Sequence, residues 1–453
     1  FGWQDNDTKF IIGNREINDK GEIHFCPTAK SIETISKMYN KKGALEEWRS
    51  VVNTYARPGN QARAFSLFGG FGAPLYKFIG EGSCVLHLTN VASGVGKSTI
   101  QKVVNSIWGN PVDTLLTSKD THNAKLNRAG VMNNLPMCID EVTNMGPELT
   151  SNLAFDLSSG KGKNRMHGSA NVERVNETSW ATMFQTSGNN SLHDTLRQHK
   201  TMVEGEMYRI MEIPVALDTA LAKNIADELF TQKLPRNYGV AGEEFMKYVV
   251  ANKENVVQLL FDIQKKFDAA AQLTSKERFY SAGCAAVFTG GIIANKLGII
   301  DIPIEPIWDW AIEMIRDNVQ SIRRAAAVGG TGSYEEIVNR YWNEILPQVL
   351  VVHGGVSPVD ETLMAQSSLK PVIGSLKGRY DINGSKLYIS VSDFEFWMAN
   401  KRLPTAQIVA MLKQNSILEK ETQFNLGLGT KLYSTAPVKV YVFNTDLLSV
   451  PES

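Results

Sequence analysis

One stretch limits the possible folds of this chain more than any other: "CVLHLTNVASGVGKSTIQKVVNSIWG", Cys84 to Gly109. It runs from an apolar, strand-like segment through Ser-Gly-Val-Gly-Lys-Ser into an amphipathic pattern with Ile100, Val103, Val104 and Ile107 on one side. A strand, a glycine turn and a helix in that order aim loop N–H groups and the positive helix end at one point, where a triphosphate gains charge-assisted bonds. Isolated Gly-Lys-Ser triplets also arise by chance. The full phosphate-loop pattern G-x-x-x-x-G-K-[ST] has a glycine where this chain has Val91. The rest of the chain has to decide.

Two later segments supply what a nucleotide site needs. "LPMCIDE" is an apolar strand pattern that ends in Asp140 and Glu141. A carboxylate there would hold the water shell of a magnesium ion, and its neighbour would orient or deprotonate an attacking water. "WATMFQTSGNN" ends a second β-like run in Thr186, Ser187 and Asn189, which makes Asn189 a candidate sensor of the γ-phosphate. Taken singly, these are a solvated acidic pair and a polar turn. In this order behind the loop they favour a site for ATP and Mg2+. Ser93, Gly94, Val95, Gly96, Lys97, Ser98 and Thr99 would cradle the phosphates; Lys97 would reach the β- and γ-phosphates, and Gly94 and Gly96 would permit close approach. Ser98 and Asp140 are the metal candidates, and Glu141 is the candidate base.

The chain has 453 residues, 43% hydrophobic and 21% charged, as in ordinary globular protein with room for two to four domains. Lysine plus arginine balance aspartate plus glutamate at 47 each, so DNA would have to be met by a local basic patch or a pore. The four cysteines, Cys26, Cys84, Cys138 and Cys284, form no C-x-x-C pair. They suggest a reducing cytosol and no zinc site. The apolar run Gly283 to Ile300 is too short and too weakly hydrophobic for a membrane span and reads as a buried lid helix. The chain opens on Phe1, which suggests part of a longer polypeptide.

Pattern along the chain suggests four regions. Residues 1–80 read as a small α+β cap with short antiparallel strands, 81–218 as an α/β core, and 219–330 as a helical lid. Residues 331–453 have a helix, a hairpin centred on Asn383-Gly384, a helix after Pro404 and a final strand "KVYVF", an order that suits a winged-helix-like domain. "AAAVGGTGS", Ala325 to Ser333, is the expected linker. "SGKGKNRMHGSANVERV" brings Lys161, Lys163, Arg165 and His167 into a glycine-rich turn suited to backbone phosphates rather than bases.

The order and spacing of the three motifs resemble superfamily 3 helicases, AAA+ ring motors of viruses, phages and plasmids. More closely, the chain resembles the phage and plasmid helicase family catalogued as domain of unknown function 927. The resemblance rests on "FGWQDNDTKFIIGNREI", "FGAPLYKFIG", the loop with "SIWGNP", "IDEVTNM", "SSGKGKNR" and "GEMYRIMEIP". It implies an AAA+ phosphate-loop ATPase core and an ATP-driven homo-oligomeric ring, hexameric, that unwinds DNA by moving on a single strand of a fork. It also implies a primase or polymerase domain as partner in cis or in trans, and no membrane. The basic turn at Lys161 lies where such rings project a hairpin into the pore. By the same resemblance Arg209 matches the arginine that reaches a neighbouring subunit's ATP, with Arg197 as runner-up and Arg278 as a second sensor from the lid. Val91 predicts an altered loop entry with ATP binding retained. Two other readings stay open: an AAA+ origin-binding or remodelling ATPase, and a nucleotide-gated scaffold of a primase complex.

Overall fold

The chain begins with alternating residues in "GWQ", "KFII", "REI" and "IHF" that pair as a four-stranded antiparallel meander, Gly2–Gln4 to Ile23–Phe25. In the computed structural model, residues 1–80, 82–162, 165–166, 173–174, 178–199, 204–329, 334–352, 372–400, 405–428, 433 and 436–445 are described. They divide into two compact units, one reaching from Phe1 to Ile322 apart from Lys200–Met202, the other containing Arg323–Ser453. The ranges read as cap, core and most of the lid thus share one unit.

The centre of the first unit is a parallel sheet of β1 (Cys84–Thr89), β2 (Leu116–Thr117), β3 (Met137–Asp140), β4 (Met183–Gly188) and β5 (Ile210–Pro214). Their order is β5-β1-β4-β3-β2, and each neighbouring pair is parallel. The largely apolar β1 is buried but for its last residue, and β4 is buried throughout although it turns polar after Phe184, as expected of a parallel sheet covered on both faces. Helices α1 (Lys97–Trp108), α2 (His122–Met132) and α3 (Pro147–Ser158) follow β1, β2 and β3. The buried Gln101 side chain fastens α1 to the sheet by donating to the carbonyls of Ile139 on β3 and Gln185 on β4.

The apolar run expected as a lid helix forms Arg278–Lys296, buried along most of its length. It packs against the helix Gln61–Gly72 and against the sheet, because glycines let backbones touch. A Cβ on Gly72 would lie 2.3 Å from the Ala286 carbonyl oxygen, and one on Gly283 would lie 2.2 Å from the Met211 Cε of β5. The expected linker is helical as far as Gly329, the end of helix Glu305–Gly329. Alanine is the strongest helix former, so Ala325–Ala327 extend the helix.

The second unit has a five-stranded mixed sheet in the spatial order Val349–Val352, Gly378–Asp381, Lys386–Ser390, Val438–Asn444 and Leu418–Phe424. The first pair is parallel and the others antiparallel. Alternate residues Leu387, Ile389, Tyr441 and Phe443 form one core with Trp342, Phe394 and Leu412 of the helices Tyr334–Ile345, Val391–Asn400 and Thr405–Gln414. Among the described residues, no helix is long and apolar enough to cross a membrane.

Candidate functional site: the carboxyl edge of the parallel sheet

Because the five strands are parallel, the residues after Thr89, Asp140, Gly188 and Pro214 meet at one edge, where open α/β sheets bind ligands. The loop between β1 and α1 turns at Gly94 and Gly96, at φ +77° and +93°. A Cβ on Gly94 would meet nothing within 4 Å, so that glycine is required by its backbone conformation and not by packing. Val91 stands 87% exposed at the loop entry and therefore packs little. Ser93 and Gly94 are exposed, Val95 is buried, and Gly96, Lys97, Ser98 and Thr99 are half-buried where the first turn of α1 leaves N–H groups without intrahelical acceptors.

Lys97 crosses the edge. Its Nζ donates to the carbonyls of Asn90 at 2.9 Å and Ala92 at 3.3 Å, and to Asn189 Oδ1 at 3.0 Å. The structure thus joins the loop lysine to the candidate sensor beyond β4. Burial lowers the Lys97 pKa, while Asp140 and Glu141 pull it back up. Those two carboxylates act on the ammonium that the loop presents.

The acidic pair is held from the same strand tip. Ser187 Oγ donates to Asp140 Oδ1 and accepts from the Glu141 N–H at 3.0 Å. Glu141 has a left-handed backbone, φ +55°, a conformation that costs a non-glycine residue about 1 kcal/mol and recurs at functional sites. The Glu141 side chain is exposed, and its Oε2 accepts from Asn144 Nδ2 at 3.1 Å.

Arg63 has a part here that its sequence context did not reveal. Only 6% exposed, it donates through Nη2 to the Val95 carbonyl of the loop and to the Ala216 carbonyl beyond β5, each at 2.8 Å. Asn90 adds a bond from Nδ2 to the Val215 carbonyl at 2.7 Å. The loop is therefore stitched to the end of β5. A cation inside the apolar, glycine-broken run Ala62–Phe78 was the available signal.

Arg209 is elsewhere. It immediately precedes β5, whose first residue pairs with Val85 near the start of β1, so it lies at the amino edge. Five strand residues at roughly 3.3 Å each put it about 16 Å from the carboxyl edge of its own sheet. Its guanidinium lies over the rings of Phe279 at 5.2 Å and Phe155 at 5.8 Å. Arg278 lies over the Phe279 ring at 5.1 Å. The side chain of Arg197, in helix Leu192–His199, lies outside the described residues.

In the basic turn, Lys161 is exposed and bridges Ser179, while Arg165–Met166 pairs antiparallel with Glu173–Arg174. A β-ribbon backbone thus stands where the basic hairpin was expected. Lys163, His167 and the Arg165 side chain lie outside the described residues. Among the described residues, no three His, Cys, Asp or Glu side chains gather as a metal site. A divalent ion here would depend on few protein ligands and on the phosphates it accompanies.

Fold and site together define a mixed α/β protein with a parallel sheet whose carboxyl edge gathers a glycine loop, a lysine and an acidic pair. Residues 1–178 match the family Domain of unknown function (DUF927), which bears out the resemblance over that part of the chain. Among solved structures, the chain is similar to Cch of SCCmec type IV, described as an active helicase, at 15% identity and a TM-score of 0.62. The likeness covers 90% of this chain and 71% of that one. It speaks for the fold. No curated protein matches the chain.

Proposed function

We propose that this chain is an ATP-driven DNA helicase motor: an AAA+ phosphate-loop ATPase of the superfamily 3 type, working as a hexameric ring on single-stranded or forked DNA in phage or plasmid replication. One observation carries the reading, the bond from Lys97 Nζ to Asn189 Oδ1 across the edge where Ser187 holds Asp140. Lysine, sensor and acidic pair lie far apart in sequence, and a solvated turn or a lone acidic pair gives no reason for them to converge. The strand order, the family match over 1–178 and the likeness to a helicase support the same reading.

The residues fit ATP and Mg2+. Loop N–H groups and the α1 terminus suit phosphate oxygens, and the oxygen donors Ser98 and Asp140 suit a hard cation. When bound, ATP supplies the phosphoanhydride and Mg2+ offsets its charge. Lys97 would exchange Asn189 and the two carbonyls for phosphate oxygens, freeing Asn189 to meet the γ-phosphate. Glu141 would orient the attacking water, and Arg209, remote from its own loop, would serve a neighbouring copy. In this reading residues 1–80 are the cap and 219–330 the lid. Residues 331–453 are a winged-helix-like module, and the ribbon at Lys161 and Arg165, with Lys163 and His167, meets the strand. A primase or polymerase domain is the expected partner.

Unwinding of a forked duplex tests this. ATP-dependent strand separation is expected, and it should vanish on Lys97→Ala. ATP hydrolysis without separation would favour the origin-binding or remodelling alternative.

A further inference from the structure

Behind the candidate sensor lies a buried polar chain that nucleotide binding alone does not require. Gly188, at the end of β4, is wedged between Thr143 and His87: a Cβ there would lie 2.6 Å from Thr143 Cγ2 and 3.1 Å from His87 Cε1. His87 is fully buried on β1, with Nε2 3.3 Å from the Asn190 carbonyl and Nδ1 2.9 Å from Thr186 Oγ1. A carbonyl only accepts, so Nε2 carries the proton and Nδ1 accepts from the threonine. Burial lowers the His87 pKa, which keeps that neutral form.

The next residue passes the contact on. Ser191 Oγ donates to both carboxylate oxygens of Glu212 on β5, at 2.9 and 3.0 Å, and the N–H groups of Leu192 and His193 donate to Glu212 Oε1. Asn318 clasps the Glu212 backbone from both sides, accepting from its N–H at 2.8 Å and donating to its carbonyl at 2.9 Å. Burial works against the Glu212 charge, but the nearby His193 ring and the donors at residues 191–193 hold its carboxyl below the usual range.

From His193 the chain reaches the turn that bears Arg209. His193 Nε2 faces the carbonyls of Met207 at 3.2 Å and Ile210 at 3.0 Å, and so donates to them. Tyr280 Oη donates to the same two carbonyls, at 3.3 and 2.7 Å. The residues flanking Arg209 are thereby gripped from a helix whose start Glu212 caps.

We infer that Glu212 and His193 are positioning residues that couple the nucleotide-sensing tip, Asn189 to Ser191, to the turn bearing Arg209. A γ-phosphate that draws Lys97 off Asn189 shifts that tip, and the shift travels through Ser191, Glu212 and His193 to the backbone at Met207 and Ile210. One copy's nucleotide state thus sets the arginine it offers its neighbour. The inference rests on the proposed ATPase reading and on Arg209 as the residue acting in trans.

The test is a double-mutant cycle on the assembled full chain, reading ATP affinity and single-turnover hydrolysis for Glu212→Gln, Arg209→Ala and both together. Glu212→Gln alone is expected to keep ATP affinity within about twofold and slow hydrolysis about tenfold. On top of Arg209→Ala it should add less than about twofold, because its route to catalysis is already cut. A residue that only supports the fold would instead multiply the two losses. Multiplied losses, or parental hydrolysis in Glu212→Gln, overturn the coupling and leave the ATPase reading standing. Parental hydrolysis in Arg209→Ala overturns the trans assignment, and the coupling falls with it. Should Glu212→Gln fail to fold, His193→Gln against His193→Ala carries the test. Glutamine keeps a donor toward the two carbonyls and should recover most of the rate lost in alanine; equal loss in both overturns the coupling.

Discussion

The two edges of the parallel sheet are built to opposite specifications. At the carboxyl edge Gly94, Gly96 and Glu141 have left-handed backbones, and Lys97, Asn189, Asp140 and Ser187 are joined by hydrogen bonds that a ligand could replace. At the amino edge Arg209 is laid over aromatic rings, and the Val85 N–H binds its carbonyl at 3.0 Å. One edge offers exchangeable polar groups; the other holds a guanidinium against aromatic rings. On the proposed reading, the amino edge of one copy would meet the carboxyl edge of the next.

Breaking that division should have its largest effect at Arg209. Arg209→Ala is expected to cut ATP turnover by about 10³-fold, the range seen for arginines supplied to a phosphoryl transfer. Mixed with Lys97→Ala subunits it should recover turnover, because each variant supplies what the other lacks. Phosphate release from the mixture and from each variant alone, with assembly checked by light scattering, measures this. No recovery in verified mixed assemblies would argue for a site made within one copy.

A smaller effect is expected at the stitch behind the loop. Arg63→Gln removes charged donors from the Val95 and Ala216 carbonyls, each such bond being worth about 1.5–3 kcal/mol. Its denaturation midpoint should fall, and ATP affinity should drop about tenfold as the loop loses its anchor. A stable variant with parental affinity would mean that Asn90 alone positions the loop.

The core of this site was legible because its parts are local and patterned. The run Cys84–Trp108, the strand end at Asp140 and the tip at Asn189 each combine a buried strand with a polar stop. In the second unit the turn at Asn383-Gly384 likewise marked the hairpin of Gly378–Asp381 and Lys386–Ser390. The remainder depended on distant partners. Nothing near Arg63 says that its guanidinium ends at Val95, and nothing near Glu212 says that it caps a helix beginning at Leu192. The run from Gly283 reads as a buried helix from its composition, but the close approach of its glycines to Gly72 and Met211 depends on residues far away in sequence. β2, with two residues, is too short to carry a period.

The mildest effect is expected at the basic turn. Lys161→Ala should weaken single-strand binding for all sequences alike and lower the log-log salt slope by about 0.7 for one lost phosphate contact. DNA-free ATP turnover should be unchanged. An unaltered slope would move the DNA path away from this ribbon.

The most direct measurement compares ATP binding and turnover in Lys97→Ala and Glu141→Gln. The carboxyl edge as described predicts that Lys97→Ala loses ATP binding, whereas Glu141→Gln binds ATP at parental affinity and hydrolyses it at least about 100-fold more slowly. Parental turnover in Glu141→Gln, or parental affinity in Lys97→Ala, would contradict it.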